Sequence, residues 1–248
     1  MPDTHNGSIK IHYEIEGAGP PLLLHHGSSA SGADWRDLGY VDALKHDYKL
    51  ILVDARGAGA SDKPHDAAAY DPALRAADVV AVLDDLGVRR AHYFGYSLGG
   101  WVGFLLAKYA PDRFTSLILG GANPYEENMQ PARNRMPKEM DAFMPSMEQA
   151  YGSHLTPAMR GRLRQSDLLA LGAMTQDRSS IAGVLPGMKM PCLLFAGDAD
   201  PRFGKVEQCA AQLSNATFFS LPGRDHVGGL VASALVVPRI KAFLEALG

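Results

Sequence analysis

The chain has 248 residues, of which 46% are hydrophobic, and a formal net charge of −3 at neutral pH. This length and composition suffice for one large α/β domain, with or without an insertion. The slight negative charge argues against a nucleic-acid partner or an anionic membrane surface, and no apolar run approaches the roughly 18 residues that span a bilayer.

The sequence also bears on the cellular compartment. The first ten residues, MPDTHNGSIK, include an acid and lack the apolar stretch of a signal peptide. The two cysteines, Cys192 and Cys209, lie in an apolar strand pattern and in a helical pattern. We therefore expect buried free thiols rather than a disulfide, and a cytoplasmic location.

Strand and helix patterns alternate over the first 123 residues. Residues 8–15 alternate polar and apolar side chains, which predicts a half-exposed antiparallel strand at a sheet edge. Continuous apolar runs predict buried strands, and amphipathic segments predict helices. The predicted strands are 22–25, 49–53, 91–94 and 114–119, and the predicted helices are 37–46, 71–86 and a segment ending at Ala110.

The pattern changes at Pro124. From there to about Met190 the chain has no strand-like run, is rich in methionine and is broken by prolines. Residues 124–178 are therefore predicted to form a small helical cap inserted into a core of residues 1–123 and 179–248. The cap methionines either line an adaptable apolar pocket, with Met144 as a substrate contact, or pack the interior of the cap.

Strand periodicity returns after the cap. Strands are predicted at 192–196 and 217–221, and helices at 206–213 and 231–247. Alternating strands and helices predict a mostly parallel sheet wrapped by helices. In such a sheet, functional groups collect in the loops at the carboxyl ends of the strands.

One such loop carries the main chemical signal. Gly95-Tyr96-Ser97-Leu98-Gly99 is a G-x-S-x-G pattern between a predicted strand and a predicted helix. A serine held on that turn presents its hydroxyl, and the flanking glycines remove side chains that would clash. The amide of Leu98 would face an oxyanion formed on a substrate. The pattern alone is weak in a chain with 26 glycines, so the prediction depends on the strand-turn-helix context.

A serine nucleophile needs a base and an acid that orients the base. His226 follows the acidic loop and sits at a strand-to-helix turn, whereas His154 lies in the predicted cap. Asp200 is preferred to Asp198 as the acid because, three residues beyond the glycine that ends its strand, it can turn toward the base. The predicted catalytic residues are Ser97, His226 and Asp200.

The loop 25–29, reading HHGSS, follows another buried strand. Adjacent histidines on a strand point to opposite faces, and the H-x-H-x-D-H cluster of a binuclear zinc site is absent, so no metal site is predicted. Gly27 would let the backbone approach a ligand, and the amide of Ser28 would be a second oxyanion donor. The further predicted substrate contacts are His26, Gly27, Ser29 and Tyr96.

A third loop, 54–61, reads DARGAGAS. It lacks the third glycine of a dinucleotide-binding fingerprint, and no helix pattern follows it directly. Asp54 and Arg56 are therefore expected to hold neighbouring loops together rather than to take part in chemistry.

Together these motifs resemble the α/β-hydrolase superfamily over nearly the whole chain. His26-Gly27 resembles its oxyanion loop, and Gly197-x-x-Asp200 and Gly223-x-x-His226 resemble its acid and base loops. The loop 54–61 is similar to that of lactonase-, haloperoxidase- and epoxide-hydrolase-like members. The resemblance implies a fold of this type in the branch of 3-oxoadipate enol-lactonase and non-haem haloperoxidase. A serine in place of aspartate argues against dehalogenase or epoxide hydrolase chemistry.

The function expected from residues and resemblance is cleavage of a small carboxylic ester or lactone by Ser-His-Asp acyl transfer. No metal and no organic cofactor is implied, and a monomer or homodimer is expected. Alternatives are a carbon–carbon bond hydrolase or a perhydrolase on the same triad, and a small-molecule receptor that keeps the fold. A cofactor-free oxygenase is a further alternative, whose activity would survive the loss of Ser97.

Overall fold

The computed structural model describes residues 2–248, in which eight strands form one sheet. The strands are β1 (Asp3–Asn6), β2 (Ile9–Glu16), β3 (Pro21–His25), β4 (Lys49–Val53), β5 (Ala91–Tyr96), β6 (Phe114–Gly120), β7 (Cys192–Gly197) and β8 (Ala216–Leu221). Their order is β1-β2-β4-β3-β5-β6-β7-β8. β1 and β2 pair antiparallel with their neighbours, and the remaining pairs are parallel. The predicted α/β fold with a mostly parallel sheet is confirmed.

Helices connect the strands. They are α1 (Asp34–Asp37), α2 (Tyr40–Leu44), α3 (Pro72–Asp85), α4 (Leu98–Tyr109), α5 (Gln130–Arg135), α6 (Met140–Tyr151), α7 (Pro157–Leu163), α8 (Leu168–Met174), α9 (Phe203–Ala211), α10 (His226–Val231) and α11 (Ser233–Glu245). None of the helices in the described part of the chain has the length and apolar character that crossing a membrane requires.

The central strands are buried on both faces. All residues of β7 are buried, as are the last four residues of β3 and of β4. Because successive side chains on a strand point to opposite faces, this pattern means that both sides of the sheet are covered. The continuous apolar runs in the sequence record this double burial. Cys192 and Cys209 are buried free thiols, as expected.

Three local predictions are corrected. The segment 8–15 is antiparallel but is not the sheet edge, because the polar strand β1 lies outside it. The predicted helix 37–46 is two short helices, since Gly39 between them has a φ of 81° that breaks the helical path. The predicted helix 231–247 corresponds to α11, and a separate short helix, α10, precedes it and begins at His226.

The segment between β6 and β7 contains no strand and carries helices α5–α8. Proline stands in the first turn of α5 and of α7, where the missing N–H costs nothing, while Pro145 lies inside α6. The side chains of Thr156 and Asp167 cap α7 and α8. We call residues 124–178 the cap segment; its treatment as a unit separate from the core stays a prediction.

Candidate active site

Close backbone packing forms the turn that carries Ser97. This residue has φ 55° and ψ −107°, in the left-handed half of backbone space. It is one of two non-glycine residues with positive φ in residues 2–248; the other is Ser29. A Cβ on Gly95 would lie 2.3 Å from the Gly99 carbonyl, and one on Gly99 would lie 2.1 Å from the His25 carbonyl oxygen. Only glycine fits these two positions, because backbone segments pass each other there at contact distance. The predicted sharp turn depends on this close approach.

Three side chains from three loops meet at this turn. The His226 Nε2 atom lies 2.8 Å from the Ser97 Oγ, and the His226 Nδ1 atom lies 2.5 Å from Asp200 Oδ2. A carboxylate can only accept a hydrogen bond, so Nδ1 carries the proton toward Asp200 and Nε2 accepts from the serine hydroxyl. The structure thus brings together the three residues that the sequence singled out.

The alternative acid Asp198 and the neighbouring Asp225 have other partners. Asp198 Oδ1 accepts a hydrogen bond from the Gly223 amide at 2.7 Å, and Asp225 caps α10 through the Gly228 amide. Asp198 therefore ties the acid loop to the base loop and leaves His226 to Asp200. A Cβ on Gly197 would lie 1.9 Å from the Arg224 carbonyl oxygen, so these two loops touch through their backbones.

Asp200 is held in its ionised form. Burial favours the neutral acid, but the hydrogen bond and charge of His226 and the Arg202 amide outweigh it, so the pKa of Asp200 lies below its usual value. The Arg202 amide donates to Asp200 Oδ1 at 2.9 Å. With one carboxylate oxygen on the backbone and the other on His226, the acid has a fixed orientation.

The tyrosine of the elbow supports the base from behind. Tyr96 donates its hydroxyl to the main-chain carbonyl of His226 at 2.6 Å, and the two rings lie 5.4 Å apart. Gly121, with φ 59°, leaves room for the imidazole, since a Cβ there would lie 3.0 Å from His226 Cε1. Tyr96 was predicted as a substrate contact; it lines the cavity, but its hydroxyl is engaged with the base loop.

The backbone around Gly27 runs alongside the nucleophile. A Cβ on Gly27 would lie 3.3 Å from the Ser97 Cβ, so glycine allows this approach. Ser28 and Ser29 follow on the cavity wall. The amide of Ser28 donates no hydrogen bond to another residue within 2–248, and neither does that of Leu98, the first residue of α4. Both amides are thus available to a ligand oxygen.

A cavity of about 250 Å³ opens over Ser97 and His226. The core contributes its floor, and the cap segment contributes much of its remaining wall. The lining residues are Gly27, Ser28, Ser29, Tyr96, Ser97, Met129, Ala132, Met136, Met147, Ala150, Tyr151, Thr175, Arg178, Arg202, His226, Val227 and Leu230. This volume lies below the roughly 300–1,000 Å³ of most ligand pockets, so it suits a compact substrate.

Two predicted substrate contacts lie elsewhere. His26 is buried beneath the loop, where its Nε2 accepts from the Ala55 amide at 3.0 Å and its Nδ1 lies 2.7 Å from the Gly27 carbonyl oxygen. Met144 is 3% exposed, belongs to the hydrophobic core cluster and is not among the residues that line the cavity. Met129, Met136 and Met147 do line the cavity, whereas the packing of a separate cap interior by methionines stays a prediction.

The loop 54–61 has the structural role expected of it. Asp54 accepts from the Gly32 amide at 2.7 Å and from the Ala60 amide at 2.8 Å. Arg56 is 2% exposed and forms two hydrogen bonds to Asp78, at 2.6 and 2.5 Å. These contacts join the loop to α3 and to the segment that follows Ser29. Within residues 2–248, no group of three or more His, Cys, Asp or Glu side chains could hold a metal ion.

Sequence reasoning missed the two arginines of the cavity. Arg178 stands at the end of the cap segment, and Arg202 stands two residues beyond the acid. Neither belongs to a periodic pattern or a motif. The position of Arg202 beside Asp200 was the one available signal, and it did not indicate where the guanidinium would point.

Residues 20–183 match the family model described as alpha/beta hydrolase fold. A putative non-heme chloroperoxidase of Synechocystis sp. is 26% identical over 97% of both chains. A putative carbamate hydrolase of Azorhizobium caulinodans is 38% identical over 119 residues, which are 48% of this chain but only 43% of that protein.

Solved structures agree on the fold. A hydrolase from Pseudomonas aeruginosa PA01 superposes with a TM-score of 0.83 at 26% identity, covering 95% of this chain and 94% of that one. An enol-lactonase from Burkholderia xenovorans LB400 superposes with a TM-score of 0.85 over 98% of this chain and 100% of that one; at 21% identity it shows the fold alone. The family match covers well over half of the chain, which therefore belongs to the α/β hydrolase fold family.

Proposed function

We propose that this protein hydrolyses a small carboxylic ester or lactone by acyl transfer through Ser97, His226 and Asp200. The observation that carries the proposal is the hydrogen-bond chain from Asp200 through His226 to the Ser97 hydroxyl, which lies at a cavity of about 250 Å³. Such a chain converts an alcohol that is a weak nucleophile at neutral pH into an effective one.

In the first step, the Ser97 Oγ attacks the substrate carbonyl carbon while His226 Nε2 takes the hydroxyl proton. The carbonyl oxygen becomes an oxyanion, which the amides of Ser28 and Leu98 stabilise. The intermediate collapses to an acyl-enzyme as the bond to the leaving oxygen breaks, and His226 gives its proton to that oxygen. Asp200 stabilises the imidazolium throughout without becoming protonated.

In the second step, His226 removes a proton from a water molecule, and the hydroxide oxygen bonds to the acyl carbon. Collapse of this intermediate breaks the bond to Ser97 Oγ, which regains the proton from His226. The carboxylic acid leaves, and the resting enzyme is restored. A lactone gives a single hydroxy acid, because the leaving oxygen stays attached to the acyl chain.

The test is a panel of short-chain p-nitrophenyl esters and small lactones, assayed with wild type and Ser97→Ala. We expect hydrolysis by wild type that collapses in the variant. Wild type inactive on the whole panel would overturn ester chemistry and favour a carbon–carbon bond hydrolase or a receptor. Activity that persists in Ser97→Ala would overturn the role of Ser97. Stoichiometric labelling of Ser97 by a fluorophosphonate, detected by mass, provides an assay independent of the substrate panel.

A further inference from the structure

The cavity over Ser97 has an unbalanced charge. Its lining includes Arg178 and Arg202, while no aspartate or glutamate from residues 2–248 lines it. The rest of the wall is mostly apolar or small. A neutral ester would need no cation there, and burying charges without a use costs free energy. The two arginines therefore require an explanation.

The carboxylate of Glu127, which does not line the cavity, forms ion pairs with both arginines. Glu127 Oε2 accepts from Arg178 Nη1 at 3.0 Å, and Glu127 Oε1 is paired with Arg202. Glu127 is thus a counter-charge that both arginines share, and the ionised Asp200 is a second carboxylate near Arg202. A third cation, Arg75, is 5% exposed nearby, and its bonds go to the neutral carbonyls of Tyr70 and Met174. The three arginines stand against two nearby carboxylates, Glu127 and Asp200, because the neighbouring Arg56–Asp78 pair adds no net charge.

Arg178 is held rigidly. Its backbone forms two hydrogen bonds of 3.0 Å with that of Glu127, which joins the beginning and the end of the cap segment. Its guanidinium lies 4.7 Å from the centre of the Trp101 ring, and its side chain is only 11% exposed. Burial lowers the pKa of Arg178 to about 10, which still leaves it charged at neutral pH. A planar cation fixed in this way is preorganised for a planar anion.

We propose that the cavity selects substrates that carry a free carboxylate beside the ester or lactone bond, with Arg178 and Arg202 as the groups that recognise it. This inference rests on the proposed function and names its substrate class. The carboxylate would bind the guanidinium N–H groups that Glu127 leaves open. The short aliphatic part would lie against Met129, Met147 and Leu230. The product of a monoester would then be a small dicarboxylate.

The test compares matched charged and neutral esters. The anionic substrates are monomethyl glutarate and acetoxyacetate, which place the carboxylate on the acyl side and on the alcohol side; the neutral ones are their methyl esters. For wild type we expect kcat/KM to be about 10- to 100-fold higher for at least one anionic substrate than for its neutral partner, the range for a charge-assisted hydrogen-bonded pair. The preference should weaken as ionic strength rises.

Variants assign the preference to the cavity. Arg178→Gln should remove most of the anionic-to-neutral ratio, and Arg178→Lys should restore only part of it because the ammonium lacks the planar fork. Arg160→Gln is the matched control, since Arg160 is a cap-segment arginine that pairs with Glu148 and does not line the cavity. The anionic-to-neutral ratio of kcat/KM for Arg160→Gln should equal that of wild type.

A change in the opposite direction separates recognition from misfolding. Glu127→Gln removes the carboxylate that competes for both arginines, so it should lower KM for the anionic substrate, whereas damage to the fold would not. Calorimetry with Ser97→Ala provides a direct measurement, in which monomethyl glutarate should bind and Arg178→Gln in the same background should abolish binding.

The outcomes separate the two proposals. Wild type that hydrolyses p-nitrophenyl acetate but shows no preference for anionic esters overturns the carboxylate inference and leaves the hydrolase function intact. Arg178-dependent binding of monomethyl glutarate by a protein that hydrolyses no ester overturns the hydrolase function and retains the anion site. Calorimetry that shows inorganic phosphate binding with equal affinity would overturn the assignment to a carboxylate.

Discussion

The core and the cap segment build the same cavity by different means. Around Ser97 the core contributes backbone: glycines at 95 and 99 allow chain segments to touch, and the amides of Ser28 and Leu98 donate no hydrogen bond to another residue within 2–248. The cap segment uses side chains, with methionines and Arg178 supplying its part of the wall. The positions of these backbone segments depend on the whole sheet, whereas a single mutation changes a single side chain. We therefore expect the core to set the reaction, and the cap segment to select the substrate together with Arg202 of the core.

The largest effect is expected from Ser97→Ala, which tests whether the core sets the reaction. Loss of the attacking oxygen should lower kcat by at least about 10⁴-fold for every ester, with little change in stability, because the serine is a partly buried nucleophile on a preformed turn. Steady-state kinetics and thermal unfolding measure the two effects. A selective loss for some esters only would show that the core also sets specificity.

Asp200→Asn should lower kcat by about 10⁴-fold, since an amide cannot fix the productive tautomer of His226. Asp198→Asn is the matched control from the same loop. It weakens one bond to the Gly223 amide, and we expect a loss of less than about tenfold. Equal losses in the two variants would contradict the assignment of Asp200 as the acid.

Asp200 also makes the folding stability of the core depend on pH. Its pKa is lower in the folded protein than the roughly 3.9 of an unfolded chain, so its ionised form stabilises the fold above about pH 4. That contribution disappears as pH falls through the lower, folded-state pKa. Urea unfolding of wild type and Asp200→Asn should therefore show a stability difference that shrinks below about pH 4. A constant difference from pH 3 to pH 7 would contradict this account.

Glycine substitutions compare the two regions directly. Gly99→Ala places a methyl group 2.1 Å from the His25 carbonyl oxygen and should cost about 3 kcal/mol or more of unfolding free energy. Gly161→Ala in α7 meets no atom within 4 Å and should stabilise the protein by about 0.5–1 kcal/mol. Urea midpoints check both values. Similar effects at the two sites would remove the contrast between core and cap segment.

The smallest expected effect concerns the cap methionines. Met147→Ala enlarges the cavity and should raise the relative rate on longer acyl chains by about fourfold for each methylene accommodated. Met144→Ala is the matched control because Met144 is buried outside the lining. It should cost about 2–5 kcal/mol of stability and leave the chain-length profile unchanged. A shift in the Met144→Ala profile would return that residue to the substrate site.

The sequence by itself determined seven of the eight strands of the sheet, all but β1, and the serine turn. Continuous apolar runs indicate strands that are buried on both faces. The glycines on either side of Ser97 indicate a sharp turn, because no other residue type fits at positions 95 and 99. It also determined the chain order of serine, acid and base. The choice of Asp200 over Asp198 could be argued because residue position along a loop limits where a carboxylate can reach.

The tertiary structure alone decided what surrounds these groups. The polar strand β1 has no apolar alternation of its own, so only its pairing with β2 reveals it. Met144 and Met147 are three residues apart in one helix, yet one is buried in the cap segment and the other faces the cavity. Arg178 and Arg202 meet at Glu127 across long sequence separations. Such contacts depend on how helices pack, which local sequence patterns do not record.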